Sequence, residues 1–250
     1  MKNRGVIINL EDIQNGTAEF KKIMLMYKSA LKKFETRVNI YSDEFQTLYK
    51  YNPIEHIKTR IKTPESIIKK MQRKGLDITY NNMINYINDV AGIRIVCSFI
   101  PDIYRMVEMF EKSEDLKVIE TKDYIKHPKP TGYSSYHLIV LVPVNFSNGS
   151  VDVKVEIQIR TIAQDFWASL EHKIKYKYEN EVPKNISKEL VSCAHMINQV
   201  DNKMSKLGEA TMQQLTNNTN VINGGDKVKL IEKFEKVLLM NQGSKKQSHK

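Results

Sequence analysis

Cysteine is nearly absent: across 250 residues there are only Cys97 and Cys193. Two cysteines so far apart in the chain build neither a disulfide framework nor a cysteine-paired zinc site, and a reducing cytoplasm suits them. Long apolar runs are missing too. The longest clean one, Leu138 to Val144, falls far short of a membrane span, and the apolar run before Glu11-Asp12 is too short for a signal-peptide core. These absences predict a soluble, cytoplasmic protein with no membrane association. Acidic side chains are in deficit, 29 against 39 Lys and Arg, and the net charge of +10 points to anionic partners. Acid is scarcest between Lys58 and Lys74, where Lys58, Arg60, Lys62, Lys69, Lys70, Arg73 and Lys74 face Glu65 alone. That stretch has no aromatic residue, which argues against a platform for stacking nucleic-acid bases.

What is present reads as one globular domain with helical additions, since 41% of residues are hydrophobic and 27% charged. The element pattern predicts an α+β fold, a mixed sheet of about five strands flanked by helices. Four regions are expected: a helical extension over 14–50, a main domain over 51–180, a C-terminal helix over 186–216, and a linker, short helix and basic tail over 217–250. Phe20, Ile23, Met24, Tyr27, Leu31 and Phe34 recur at helical spacing and predict a buried stripe. Thr63-Pro64-Glu65 reads as a capped helix start, and Gly75 as the stop. Strands are expected over Ile93 to Phe99, Lys117 to Thr121 and Tyr136 to Val142, with a hairpin turn at Asn148-Gly149. A helix over Ile162 to Tyr178 has Phe166, Leu170 and Ile174 on one face. Leu190, Cys193, Ile197, Val200, Met204 and Leu207 step by three and four, a heptad seam that fits either self-association or docking on the chain's own domain.

The centre of the pattern is Val151 to Arg160. Val153, Val155, Ile157 and Ile159 alternate with Lys154, Glu156, Gln158 and Arg160, so a strand sends one set to a core and the other to the opposite face. Most such strands simply have a solvated polar side. Other stretches give this one a second meaning. Ser66, Lys70 and Arg73 share a helix face near an N-terminus, where anions are attracted, although a solvated basic face reads the same way. Asp89 precedes a strand, a place suited to a magnesium ligand or, equally, to a turn residue, and Glu156 is a candidate second ligand. Arg94 lies between Ile93 and Ile95, so its planar guanidinium faces away from the core and can stack on a purine. Tyr133 follows Gly132 and precedes Ser134-Ser135-Tyr136-His137; a base can stack there, and Lys129 and His137 can meet phosphates.

Arg60 to Lys70 (RIKTPESIIKK), Asp89 to Cys97 (DVAGIRIVC), Asp123-Tyr-Ile with Gly132 to His137 (GYSSYH), and Val155 to Thr161 (VEIQIRT) together resemble the synthetase domain of the RelA/SpoT family, and more narrowly its small alarmone synthetases. The likeness covers about Tyr51 to Tyr178. No His-Asp dipeptide occurs, so a synthetase-only form is expected, on a nucleotidyltransferase-like sheet. The resemblance implies transfer of pyrophosphate from ATP to the ribose 3′-hydroxyl of GDP or GTP, with GMP as a further acceptor, giving (p)ppGpp and AMP. It implies that Arg60 and Arg94 hold the adenine, that Lys62, Ser66, Lys70 and Arg73 bind the ATP phosphates, and that Asp89 holds Mg2+. On the acceptor side it implies that Tyr133 stacks the guanine, that Lys129 and His137 contact phosphates or ribose, and that Glu156 is the base. Asp165 falls where asparagine is the familiar guanine reader, and Ser134 where a basic residue often follows the tyrosine. A homotetramer is implied as well, and single-stranded RNA is a candidate regulator. The rival readings are a nucleotidyltransferase that releases pyrophosphate and an RNA-binding module.

Overall fold

Alternation along the central strand decides which face of the sheet is core. The computed structural model describes residues 17–49, 51–178 and 182–222, and the side chains of 211–222 are not considered. Its strands are β1 (Ile54–Ile61), β2 (Ala91–Cys97), β3 (Lys117–Asp123), β4 (Tyr136–Phe146) and β5 (Gly149–Thr161). They form one mixed sheet in the order β1-β2-β5-β4-β3, with β2 and β5 parallel and every other pair antiparallel. Ile93 and Ile95 lie beside Ile157 and Ile159, while Leu138, Val140 and Val142 lie beside Ile157, Val155 and Val153. The apolar side chains of three strands therefore meet on one face, and a slip of one residue would turn a whole set to the wrong side.

That face is covered by α1 (Ala18–Glu44) and α4 (Ile100–Glu111). Thr17 Oγ1 caps α1 by accepting from the Phe20 N–H, and the expected stripe from Phe20 to Phe34 is buried. Ile103, Met106, Val107 and Phe110 of α4 are buried with it, and the Phe34 and Phe110 rings lie 5.2 Å apart. A π turn over Phe45–Tyr49 ends α1 and leads to β1. Beside the sheet, α2 (Pro64–Arg73) buries Ile67, Ile68 and Met71, and α3 (Tyr80–Tyr86) buries Met83. Thr63, Thr79 and Thr161 cap α2, α3 and α5 (Ile162–Tyr176) through the same hydroxyl-to-backbone bond. Among the described residues no helix is long and apolar enough to cross a membrane.

Several local expectations shift. β1 has no alternation to announce it, because it is an edge strand whose side chains are mostly exposed. β2 stops at Cys97, and Phe99 becomes the N-cap residue of α4. The hairpin turn falls at Ser147-Asn148, one residue early, since Gly149 already pairs with Phe146. Phe166, Leu170 and Ile174 share a face of α5, but that face is exposed, Phe166 by 58%. Gln164, Asp165, Trp167 and Ala168 are buried instead, because the polar side of the sheet offers α5 partners for a carboxylate and an amide.

The last helix among the described residues, α6, spans Lys184–Ile222, so residues 217–222 continue it where a linker is expected, and 223–250 lie outside the described residues. The chain divides into two compact units, Met1–Asn202 and Lys203–Lys250. Within the first, the seam divides: Leu190 is buried against Trp167, whose Nε1–H donates to the Leu190 carbonyl at 3.0 Å, whereas Val200 is exposed. In the second unit, Met204 and Leu207 are exposed.

Gly132 marks where α6 meets the loop before β4. Its φ is +87°, and a Cβ there would stand 2.4 Å from Ala194 Cβ. Gly75 has φ +64° but nothing within 4 Å of such a Cβ. Gly75→Ala should therefore cost only the left-handed backbone penalty of about 1–2 kcal/mol. Gly132→Ala should cost more than Gly75→Ala in chemical denaturation, because α6 must also shift; equal losses would show that this packing is slack.

Candidate active site

The polar face of the sheet gathers side chains from four strands. Glu156, Gln158 and Arg160 follow one another on β5, Gly92 and Arg94 pair with the first two across the parallel ladder, and Arg60 and Lys58 pair with Gly92 and Arg94. On the other flank His137 of β4 pairs with Gln158. Lys58, Arg60, Gly92, Arg94, Glu156 and Gln158 are among the residues lining a cavity of about 240 Å³. Arg60, Arg94 and Glu156, chosen from separate motifs, therefore open onto one space.

Asp89 sits in the turn before β2, beside Arg60 of the cavity wall. Its Oδ2 lies 2.7 Å from Lys62 Nζ, 2.8 Å from Lys70 Nζ and 4.0 Å from Arg60. Burial alone would raise the Asp89 carboxyl, but the two ammoniums outweigh it and hold the group below the usual carboxylate range. Lys70 thus turns inward, while Lys62, Ser66 and Arg73 line an open cavity of about 580 Å³ with Lys69 and Gln72. Ser66 Oγ accepts from the capping Thr63 hydroxyl at 3.0 Å.

The residues also bear on a metal. Among the described residues no cluster of three or more His, Cys, Asp or Glu could hold an ion alone. Magnesium does not need one, because one or two carboxylates suffice when substrate phosphates supply the rest. Asp89 Oδ1 is buried with no hydrogen-bond partner, which fits a group reserved for a cation. Glu156 fits less well as a ligand, since its Oε2 already accepts from Gln158 Nε2 at 3.0 Å.

Across Glu156 lies an aromatic cluster. Tyr133 Oη is 2.8 Å from His137 Nε2, and Tyr124 meets both rings edge-on. Lys129 Nζ lies over the Tyr133 ring at 4.9 Å and over Tyr124 at 4.6 Å. Arg160 NH2 donates to Tyr133 Oη, so the tyrosine hydroxyl proton is free to go to His137 Nε2, leaving the ring proton on Nδ1. That nitrogen faces Glu156 Oε1 at 3.6 Å. Burial pushes His137 below its ordinary pKa of 6.5 despite the nearby carboxylate, so the ring is neutral at pH 7. Glu156 is also buried, which would raise it, yet His137 and Gln158 outweigh burial and hold it below its ordinary 4.5.

Sequence reasoning undervalued Arg160. It is buried, only 3% exposed, and every nitrogen is engaged: Nε with Ser135 Oγ at 3.2 Å, NH1 with Asp165 Oδ1 at 3.3 Å, and NH2 with Tyr133 and with Gln158 Oε1 at 2.9 Å. Its place two and four residues beyond Gln158 and Glu156, on the same strand face, was the available signal. Asp165 Oδ1 also accepts from Arg94 NH1 at 2.9 Å, so the expected guanine reader has that oxygen committed to two arginines.

A family model described as the region found in RelA / SpoT proteins matches residues 59–181. The GTP pyrophosphokinase YwaC of Bacillus subtilis (strain 168) is 48% identical over 198 residues, 79% of this chain and 94% of that protein. The crystal structure of small alarmone synthetase 2 from Bacillus subtilis gives a TM-score of 0.71 at 47% identity, covering 77% of this chain and 99% of that one. Small alarmone synthetase 1 from the same organism, bound to its product pppGpp, gives 0.72 at 32%, covering 77% and 97%.

The shifted groups set a pH dependence. His137 is depressed from 6.5, so the unfolded chain takes up that proton first and stability falls as pH drops below about 6.5. Glu156 is depressed from 4.5, so its contribution is present above that value and lost as pH falls through the lower folded one. Denaturant titrations from pH 7 to 3 should show the His137→Asn variant lacking part of the decline that sets in below about pH 6.5, and Glu156→Gln lacking part of the decline below about 4.5. Parallel curves for parent and both variants would contradict this assignment.

Proposed function

The chain belongs to the RelA/SpoT family, and from that premise we propose that it transfers the pyrophosphate group of ATP to the ribose 3′-hydroxyl of GDP or GTP, with GMP as a further candidate acceptor. The products are the alarmone (p)ppGpp and AMP, which makes the protein a GTP pyrophosphokinase of the small synthetase kind. The observation that carries the reading is the single cavity shared by Arg60, Arg94 and Glu156, with Asp89 and its lysines on one side and Tyr133 with His137 on the other.

The donor's adenine lies between the Arg60 and Arg94 guanidiniums, and Lys62, Ser66, Lys70 and Arg73 receive its phosphates. Tyr133 stacks the guanine, while Lys129 and His137 meet the acceptor's phosphates or ribose. Glu156 is ionised at neutral pH, as a base must be, and takes the proton from the 3′-hydroxyl as that oxygen attacks the β-phosphorus of ATP. The bond from the β-phosphorus to the oxygen bridging the α-phosphate breaks, and AMP leaves with that oxygen. Neutral His137 keeps its Nδ1–H toward the carboxylate without becoming a competing acid. A magnesium ion at Asp89 would neutralise charge on the polyphosphate. Alignment and charge neutralisation must supply most of the acceleration, since a positioned base contributes about 10²- to 10⁴-fold.

Self-association fits the same reading. The exposed face of α5, with Ile162, Phe166, Leu170 and Ile174, is a large apolar stripe for a solvated helix. We assign it to contacts between copies, in a tetramer as the family resemblance implies. A cytoplasmic enzyme of stringent-response signalling is the corresponding cellular role, with single-stranded RNA on the basic surface as a candidate regulator.

Glu156→Gln should keep both nucleotides bound and lose about 10²- to 10⁴-fold in turnover, read as AMP formed from labelled ATP with GMP, GDP or GTP supplied separately. Turnover near the parent rate would remove Glu156 as the base, and pyrophosphate in place of AMP would favour the rival nucleotidyltransferase. Sedimentation at micromolar concentration should show a tetramer that Phe166→Asp dissociates; a monomeric parent would exclude the assembly.

A further inference from the structure

We propose that Asp165 is a positioning residue that couples the two nucleotide sites, in place of reading the guanine directly. Its Oδ1 is the shared acceptor of Arg94 NH1 at 2.9 Å and Arg160 NH1 at 3.3 Å. The two arginines face different substrates. Arg94 lines the cavity with Arg60 and Glu156, whereas Arg160 is bonded to Tyr133 Oη and to Gln158, which in turn donates to Glu156. One oxygen thus joins the donor wall, the acceptor platform and the base. The inference rests on the pyrophosphate-transfer reading for the identity of the two nucleotides and for the side of the site that each occupies.

Electrostatics explain why a carboxylate is needed. Burial and the charge of Arg160 both disfavour the protonated form of Arg94, and Asp165 opposes them. An amide oxygen has two lone pairs and could accept from both guanidiniums, but it carries no charge to offset theirs. The carboxylate is also held firmly: it lies in the first turn of α5, where the helix dipole favours an anion, behind the Thr161–Gln164 capping box. Its other oxygen has His56 Nε2 at 3.9 Å. Seating a purine against Arg94 therefore sets the position of Asp165, and through it that of Arg160 and Tyr133. By linkage the effect runs equally in the other direction.

The test measures binding of a non-transferable methylene analogue of ATP by calorimetry, with magnesium, in the presence and absence of GDP. In the parent, GDP should tighten the analogue by roughly 5-fold or more, the lower end of ordinary coupling. Asp165→Asn should weaken the analogue several-fold even without GDP and reduce the GDP effect to about 1-fold, while Asp165→Glu restores part of both. Loss confined to GDP affinity, with analogue binding unchanged, would overturn the proposal in favour of direct guanine reading. Arg94→Gln gives an independent arm, should Asp165→Asn not fold: it leaves the Asp165–Arg160 pair in place and should weaken GDP binding measured alone. Unchanged GDP affinity in Arg94→Gln would equally overturn the proposal. Transfer is scored separately, as AMP released by the parent, so the two readings fail separately.

Discussion

A buried guanidinium constrains the whole site. Arg160 lies between the sheet and α5, and moving such a charge out of water costs several kcal/mol unless its nitrogens find partners and a counter-ion. Ser135 and Tyr133 from the loop before β4, Gln158 from β5 and Asp165 from α5 meet that demand, so three separate elements converge on one side chain. Because the fork of an arginine is planar and rigid, it fixes these partners relative to one another. A lysine would satisfy the charge with one mobile ammonium and leave the geometry unset.

The same economy of charge explains the two carboxylates. Asp89 and Glu156 are both buried, and burial by itself would favour their protonated forms. Neither protonates at neutral pH, for different reasons: Asp89 has two ammoniums on one oxygen, whereas Glu156 is held by an imidazole and an amide. The first arrangement suits a group set among a polyphosphate and a cation. The second suits a group that must stay ionised until it receives a proton, since neutral donors stabilise the anion without pairing it permanently.

Packing links this chemistry to the end of the chain. The helix α6 seats Ala194 against Gly132, the residue before Tyr133, and Trp167 of α5 bonds to its backbone at Leu190. Tyr133 is thus held by Arg160 against its ring and hydroxyl and by a helix beside its loop. Thr161 binds the arrangement further, since its hydroxyl caps α5 and donates to buried Asp201 of α6 at 2.7 Å.

By itself the sequence determined the two faces of β5, the stripe of α1 and the capped start of α2, whereas Arg60, Arg94, Asp89, Tyr133 and Glu156 were grouped only by the family resemblance. Those signals are local: alternation, helical spacing and caps are settled within a few residues. Only the tertiary structure decided that β1 is an edge strand, that Lys70 turns to Asp89, that the apolar face of α5 looks outward, and that Asp165 serves two arginines. Asp165 meets Arg94 across 71 positions, and Lys62 meets Asp89 across 27. Partners so distant along the chain leave no periodicity behind; which charge neutralises which is fixed only when the sheet brings its strands together and water is expelled between them.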